Sequence, residues 1–254
     1  MRAFTVTRVV FPLSVLFITA NCPTLFAQQK LAKNPPHEQP GMTLRAATSP
    51  ARAEALLDPN SPEWSKLAPQ RVALNRTPRL YDTEAPSELE LTFVDIHLAR
   101  AESKLLVQMI WSDATENTGV ITKLPTAPTE GRPHKELTEA TDRFFDGAAV
   151  MHPVRLPASN AWPSLQMGDA GDPVTIYFWN AARGAVRMQA EGRGTTKRTG
   201  ETFPAQAVYI NGFWHVTMEL ENVPAGMPLA FAIWNGSQQD RDGRKYFTTW
   251  LKLE

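Results

Sequence analysis

Short apolar runs alternate with polar, proline-bearing connections along most of this chain. Leu89 to Leu98 alternates residue by residue, with Leu89, Leu91 and Phe93 on one face and Thr92, Val94, Ile96 and Leu98 on the other. That period of two predicts a strand. Lys104 to Trp111 follows after a turn centred on Ala101-Glu102-Ser103, so the pair predicts a hairpin. Asp146 to Leu156 predicts a strand ending near Pro153, and Val174 to Trp179 is a nearly unbroken apolar, β-branched run, the pattern of a strand buried on both faces. Ala205 to Ile210 and Phe213 to Leu220 face each other across Asn211-Gly212, a strong hairpin signal. Trp214, Val216, Met218 and Leu220 then share one face. Gln70 to Leu74, Pro228 to Trp234 and Lys245 to Leu253 add three more strands. One short helix is expected within Leu57 to Leu67, with Ser61 as N-cap, Pro62 as its first residue and Trp64 as its buried side chain. About nine strands, many turn signals and little helix predict an all-β fold, an antiparallel β-sandwich with short helices and long loops. No internal repeat is evident.

The connections carry their own information. Gly184 to Gly200, rich in Gly, Arg, Lys and Thr, predicts an exposed link, and Asn235 to Arg244 a polar loop. Ser112 to Arg143 is long, polar and punctuated by Pro125, Pro128 and Pro133, with a helical turn expected near Glu136 to Phe144. A loop of that length is usually functional or disordered. Pro163 to Pro173 is rich in Gly, Asp and Pro and stands immediately ahead of the Val174 strand. It sets Met167 on a tight turn beside a hydrophobic interior. A thioether there either fills a gap or faces a soft ligand such as haem iron.

The N-terminal part does not read as fold. Arg2 and Arg8 form a basic segment, Val9 to Phe26 is mostly apolar with breaks at Pro12, Asn21 and Pro23, and Leu25-Phe26-Ala27 offers a small residue before Gln28. This is a secretory signal pattern, expected at 1–27, without a twin arginine. Its uninterrupted apolar part falls short of the roughly 20 residues a membrane helix needs, so no stable membrane insertion is expected. Residues 28–50 are polar and proline-bearing and predict a flexible tether, leaving 51–254 as one domain. The chain's single cysteine is Cys22, inside the presumed signal. The exported protein would then lack disulfides, thiolate metal sites, iron–sulfur clusters and covalent haem attachment. The 26 basic and 26 acidic residues cancel, which points away from nucleic acid.

Candidate chemistry is sparse. There is no Gly-x-Ser-x-Gly, no His-Glu-x-x-His and no phosphate-binding glycine loop. Of five histidines, His97, His152 and His215 fall in expected strands, and no two have metal-ligand spacing. Asp169, Asp172, Asp240 and Asp242 sit in glycine-containing loops, where turn chemistry explains them. Trp111, Trp179, Trp214, Trp234 and Trp250 lie at or inside expected strands. They read as an aromatic-rich core, or as the lining of a flat cofactor or a sugar site.

Three segments are more specific. They are Phe144-Phe-Asp-Gly-Ala-Ala-Val-Met-His-Pro-Val154; Met167-Gly-Asp169 with Asp172-Pro-Val-Thr-Ile-Tyr-Phe-Trp-Asn180; and Leu229-Ala-Phe-Ala-Ile-Trp-Asn-Gly236 with Asp242-Gly-Arg-Lys-Tyr-Phe-Thr-Thr-Trp250. In this order they resemble the haem-binding gamma subunit of the type II dimethyl sulfoxide reductase group of periplasmic molybdenum enzymes, which includes ethylbenzene and dimethyl sulfide dehydrogenases and selenate and chlorate reductases. The resemblance runs from about Leu57 to the end of the chain. It implies a β-sandwich holding one non-covalent b-type haem, with iron ligated by a methionine and a lysine. By position these are Met167 and Lys245, with Arg244 beside a haem propionate. Where the family pattern has Gln-Phe-Pro, this chain has Met151-His152-Pro153, which makes Met151 and His152 rival ligands. The Ser112–Arg143 loop also departs from the pattern.

The resemblance implies a periplasmic, non-catalytic electron-transfer subunit. Its partners would be a molybdenum catalytic subunit, an iron–sulfur subunit and a soluble periplasmic cytochrome c. The alternative from composition alone is a secreted carbohydrate-binding β-sandwich module that stacks sugars on exposed tryptophans.

Overall fold

The computed structural model describes residues 42–77, 91–118, 144–157, 161–221 and 223–254. The expected signal at 1–27, the first part of the expected tether, Leu89 and most of the Ser112–Arg143 loop lie outside these residues. The strands, in chain order, are β1 (Thr43–Leu44), β2 (Ala47–Thr48), β3 (Gln70–Ala73), β4 (Asn75–Arg76), β5 (Phe93–Ala101), β6 (Lys104–Ser112), β7 (Gly147–Pro153), β8 (Val174–Asn180), β9 (Gly184–Ala190), β10 (Lys197–Arg198), β11 (Ala205–Ile210), β12 (Phe213–Glu221), β13 (Pro228–Trp234), β14 (Tyr246–Phe247) and β15 (Leu251–Leu253). Among the described residues, helix is confined to α1 (Ala53–Leu57) and two single 3-10 turns at Trp64–Lys66 and Gly236–Gln238.

Two sheets form. In the first the order is β1-β15-β13-β7-β8-β9-β10, with β14 joining β13 to β4; in the second it is β11-β12-β6-β5-β2, with β3 also on β5. The expected all-β sandwich is what folds. Alternate residues of both sheets turn inward and make one core: Val94, Ile96 and Leu98 of β5, Val107, Met109 and Trp111 of β6, Val150 of β7, Tyr177 and Trp179 of β8, Val216 and Met218 of β12, Phe231 and Ile233 of β13. The β11–β12 hairpin closes on Asn211 and Gly212, with φ of 50° and 82°. Two successive left-handed residues make the turn whose twist matches a strand pair.

The sequence expectation needs four corrections. The sheets are mixed rather than purely antiparallel, because β1 runs parallel to β15 and β2 parallel to β5. Both added strands come from residues 42–50, at the end of the stretch expected to be a tether. Leu44 is fully buried there, and its carbonyl accepts from the Glu254 N–H at 2.7 Å. Gly184 to Ala190 is a strand rather than an exposed link. Its charged and glycine content masked a full antiparallel register with β8, from Val174↔Ala190 to Asn180↔Gly184. The C-terminal strand is split into β14 and β15 because Thr248 turns inward and bonds Phe231 on both sides, through its hydroxyl and its N–H, each at 2.9 Å. Finally, the Ser61 helix is only a 3-10 turn, and α1 precedes it. Both pack on the outer face of the second sheet through Ala53, Leu56 and Trp64 against Ala99, Ala101 and Leu106.

Candidate functional site

The outer face of the first sheet carries the candidate site. Strand alternation gives β7, β8 and β13 a second set of side chains facing away from the core. Register places them in rows. Ala230, Met151, Ile176 and Met188 make one row, and Ala232, Ala149, Phe178 and Val186 the next. Beyond them come Trp234, Gly147, Asn180 and Gly184. On the other side, Pro153, Val174 and Ala190 end the face. Three two-residue steps separate the end rows, about 20 Å of floor. In the two middle rows Ala149, Ala230 and Ala232 stand beside the larger Met151, Ile176, Phe178 and Met188. Phe178 and Trp234 meet edge to face with centroids 5.1 Å apart.

A polar-backed loop closes one end. Ser164, Leu165, Gln166 and Met167 turn back so that the Gly168 N–H donates to the Ser164 carbonyl at 2.9 Å. The Asp169 carboxylate accepts from the Ser164 N–H at 2.7 Å, and Asp169 and Asp172 exchange backbone bonds. Trp250, 1% exposed, pins the loop from beneath by donating its indole N–H to the Pro163 carbonyl at 2.7 Å. Met167 is half-buried and, like Trp162, Leu165, Phe178, Met188 and Trp234, packs against the buried apolar cluster that includes Met151, Val174 and Ile176. Gly168 has φ of 83°, and a Cβ on it would lie 2.9 Å from the Asp172 carbonyl oxygen, so a larger residue does not fit the turn.

Lys245 approaches from the other end. It immediately precedes β14, whose Tyr246 pairs with Ile233 of β13. Its Nζ stands 5.2 Å from the centre of the Trp234 ring. Burial holds this amine below its ordinary value; Asp242 pulls the other way, and Arg193 adds to the lowering. Arg193 follows Gly192, whose N–H donates to the Met167 carbonyl at 2.8 Å. Met167 and Trp234 border one apolar cluster, and Lys245 lies over Trp234; the Gly192–Arg193 turn bonds the Met167 backbone and acts on Lys245 through the Arg193 charge.

The other expected site residues separate. Arg244 is not beside Lys245 in function. Its Nε lies 3.4 Å from Asp240, whose buried carboxylate also takes the Arg76 guanidinium. Asp240 is therefore an ion-pair centre rather than a simple turn residue. Of the two rivals, Met151 projects onto the candidate face, beside Ile176 and Ala230. His152 projects the opposite way and stacks on Tyr177 in the core, centroids 5.8 Å apart. Its Nδ1 reaches the Pro153 carbonyl at 2.7 Å, and burial holds its imidazole below the usual value.

Sequence reasoning missed the floor itself: Ala149, Ala230, Ala232 and Gly147. The signal was present in β13, where Ala230 and Ala232 alternate with Leu229, Phe231 and Ile233. A strand that is large on one side and small on the other leaves space on the small side.

No tryptophan offers an exposed stacking platform. Trp64, Trp111, Trp179, Trp214 and Trp250 are buried, and Trp162 and Trp234 are half-buried. Among the described residues no cluster of His, Cys, Asp or Glu could hold a metal ion, and no helix is long and apolar enough to cross a membrane. A cavity of about 380 Å³ lies instead against α1 and the second sheet, lined by Arg52, Glu54, Leu57, Lys104, Pro204 and Glu219; it contains none of the expected donors.

No family model matches the chain. Three curated proteins are similar to it. One, from Haloferax mediterranei, is named as the heme subunit of a respiratory nitrate reductase, with 27% identity over 98% of this chain and 82% of that protein. The gamma subunit of the chlorate reductase of Ideonella dechloratans is 31% identical over 61% of each chain. The gamma subunit of the dimethylsulfide dehydrogenase of Rhodovulum sulfidophilum is 26% identical over 75% of this chain and 72% of the relative.

Proposed function

We propose that this chain, which is similar to gamma subunits of chlorate reductase and dimethylsulfide dehydrogenase, is a haem-bearing electron-transfer subunit of a molybdenum oxidoreductase of the type II dimethyl sulfoxide reductase group. The observation that supports this reading is that Met167 packs on the apolar outer face of β7, β8 and β13, where Lys245 lies over Trp234.

The residues fit one non-covalent b-type haem. Ala149, Ala230 and Ala232 set small apolar side chains on the face where a macrocycle would lie. Met167 would offer a neutral thioether from one side. Lys245 would offer an amine that burial already biases towards its uncharged form, the only form with a lone pair for a metal. When bound, the haem supplies reversible one-electron chemistry at its iron, with a potential set by the two axial ligands and by exclusion of water. Trp162, Leu165, Phe178 and Trp234 do the excluding. The protein makes and breaks no substrate bonds in this reading. Electrons would pass between an iron–sulfur subunit of the complex and a periplasmic cytochrome c, with catalysis in the molybdenum subunit. Export through the 1–27 signal belongs to the same proposal.

The test is a pyridine haemochrome and low-spin spectrum on the co-purified complex, with Met167→Ala and Lys245→Ala beside it. A b-type spectrum that each substitution alters is expected. A colourless complex, or unaltered spectra in both variants, would defeat the reading.

A further inference from the structure

Met167 holds an unusual backbone. Its φ is 75°, in the left-handed region that an unbranched, non-glycine side chain rarely occupies. Gly168 follows at 83°, so two consecutive residues are left-handed. Such a conformation persists only where the surroundings over-determine it, and these conformations gather at functional sites. The surroundings here are specific. Across the turn, the Asp169 carboxylate takes the Ser164 N–H at 2.7 Å. The Ser164 hydroxyl takes the Gln166 N–H at 3.1 Å, and the Gly168 N–H reaches the Ser164 carbonyl at 2.9 Å. From the neighbouring turn the Gly192 N–H takes the Met167 carbonyl at 2.8 Å. Of these partners, Asp169 is the charged one, and its carboxylate closes the loop onto Ser164.

From this geometry we propose that Asp169 is a positioning residue for Met167, locking the Ser164–Asp169 turn so that the thioether is aimed at the apolar floor before any ligand arrives. The inference rests on the haem-binding reading above. Without the lock, the turn can relax to an ordinary right-handed or extended conformation, and the sulfur swings off the floor. Asp169 does not touch the haem; it acts through Met167. Partners of metal ligands typically change metal affinity by about 10- to 100-fold when removed.

The experiment uses the co-purified complex and measures haem transfer to apomyoglobin, the low-spin fraction and the haem midpoint potential, with thermal unfolding alongside. Asp169→Ala is expected to speed haem loss by about tenfold or more and to lower the low-spin fraction. Asp169→Asn, whose amide oxygen can still accept from Ser164, is expected to restore both. In a Met167→Ala background Asp169→Ala should add nothing to haem loss, because its effect passes through the missing sulfur. If Asp169→Ala does not fold, Asp169→Glu, which keeps the charge and displaces the acceptor, carries the same comparison. Wild-type haem retention and spectrum in Asp169→Ala, or an additive effect in the double variant, would overturn the positioning role. A Met167→Ala spectrum identical to wild type would remove Met167 from the iron and overturn the positioning role with it, whereas a colourless complex would overturn the haem reading, so the two failures are distinguishable.

Discussion

Lys245 sets its amine 5.2 Å from the centre of the Trp234 ring, on the same apolar cluster that receives Met167 from the opposite end of the sheet face. Burial weakens the hold of a lysine so placed on its proton, against the pull of Asp242. Its ordinary value is 10.5, and the folded chain holds it below that. A proton and an iron atom compete for the same lone pair. Affinity of the haem-free chain for ferric haem should therefore fall as pH drops through the Lys245 pKa, by up to about tenfold per pH unit. Haem titrations between pH 6 and 9 on the wild type and on Lys245→Met check this. The variant should lose the slope. Parallel profiles would remove Lys245 from the site.

Ala232 and Ala149 face each other across β13 and β7 in the middle of the floor. Ala232 is only half-buried, so Ala232→Leu meets little resistance in the haem-free fold. The expected outcome is a Tm within about 5 °C of wild type and a failure to take up haem. Normal haem content in that variant would show that the macrocycle does not lie on this face.

Asp146, fully buried just before β7, accepts from Gly236 N–H at 2.8 Å, Asn117 N–H at 2.6 Å and the Trp214 indole at 3.0 Å, and also hydrogen-bonds Asp113. It ties the end of β13 to the start of β7, directly beneath the Trp234 row. Asp146→Ala leaves those donors buried without an acceptor and should cost about 3 kcal/mol or more in urea unfolding. Asp146→Asn, with one accepting oxygen, should cost less. A change under about 1 kcal/mol for Asp146→Ala would contradict this role.

His97 lies under Trp64, ring centroids 6.3 Å apart, where the α1 segment is strapped to the second sheet. Burial holds its imidazole below the ordinary 6.5, against the raising effects of Asp95 and of the backbone at Trp64 and Leu67. A depressed folded value means that the unfolded chain takes up the proton first. The stability contributed by neutral His97 is thus present above about 6.5 and lost as pH falls through the folded value. Protection of residues 53–67 against hydrogen exchange, relative to the intrinsic rate at each pH, should fall between pH 7 and 5, and less so in His97→Gln. An equal loss of protection in both proteins would assign the effect elsewhere.

Much of this architecture is legible in local pattern. The alternation in Val94, Ile96 and Leu98, the Asn211-Gly212 turn and the apolar run of Val174 to Trp179 are short-range signals, and each became the element it announces. The misses have long-range causes. Gly184 to Ala190 looks like a link until β8 supplies its hydrogen bonds. Thr43 and Leu44 look like tether until β15, more than two hundred residues later in the chain, lies beside them. Alternation alone says that Met151 and His152 point to opposite faces. Only packing says that Met151 faces the apolar floor and His152 the core.

The order of residues by itself determined the strand set, the sandwich class and the glycine-bearing turn that carries Met167, because these depend on side-chain period and on backbone freedom within a few neighbours. The tertiary structure alone decided that Met167 packs on the apolar cluster that Trp234 also borders, that Lys245 lies over Trp234, and that Arg244 pairs with Asp240. Those facts depend on which strands become neighbours and in what register, and that is settled by burial of the whole chain rather than by any stretch of it.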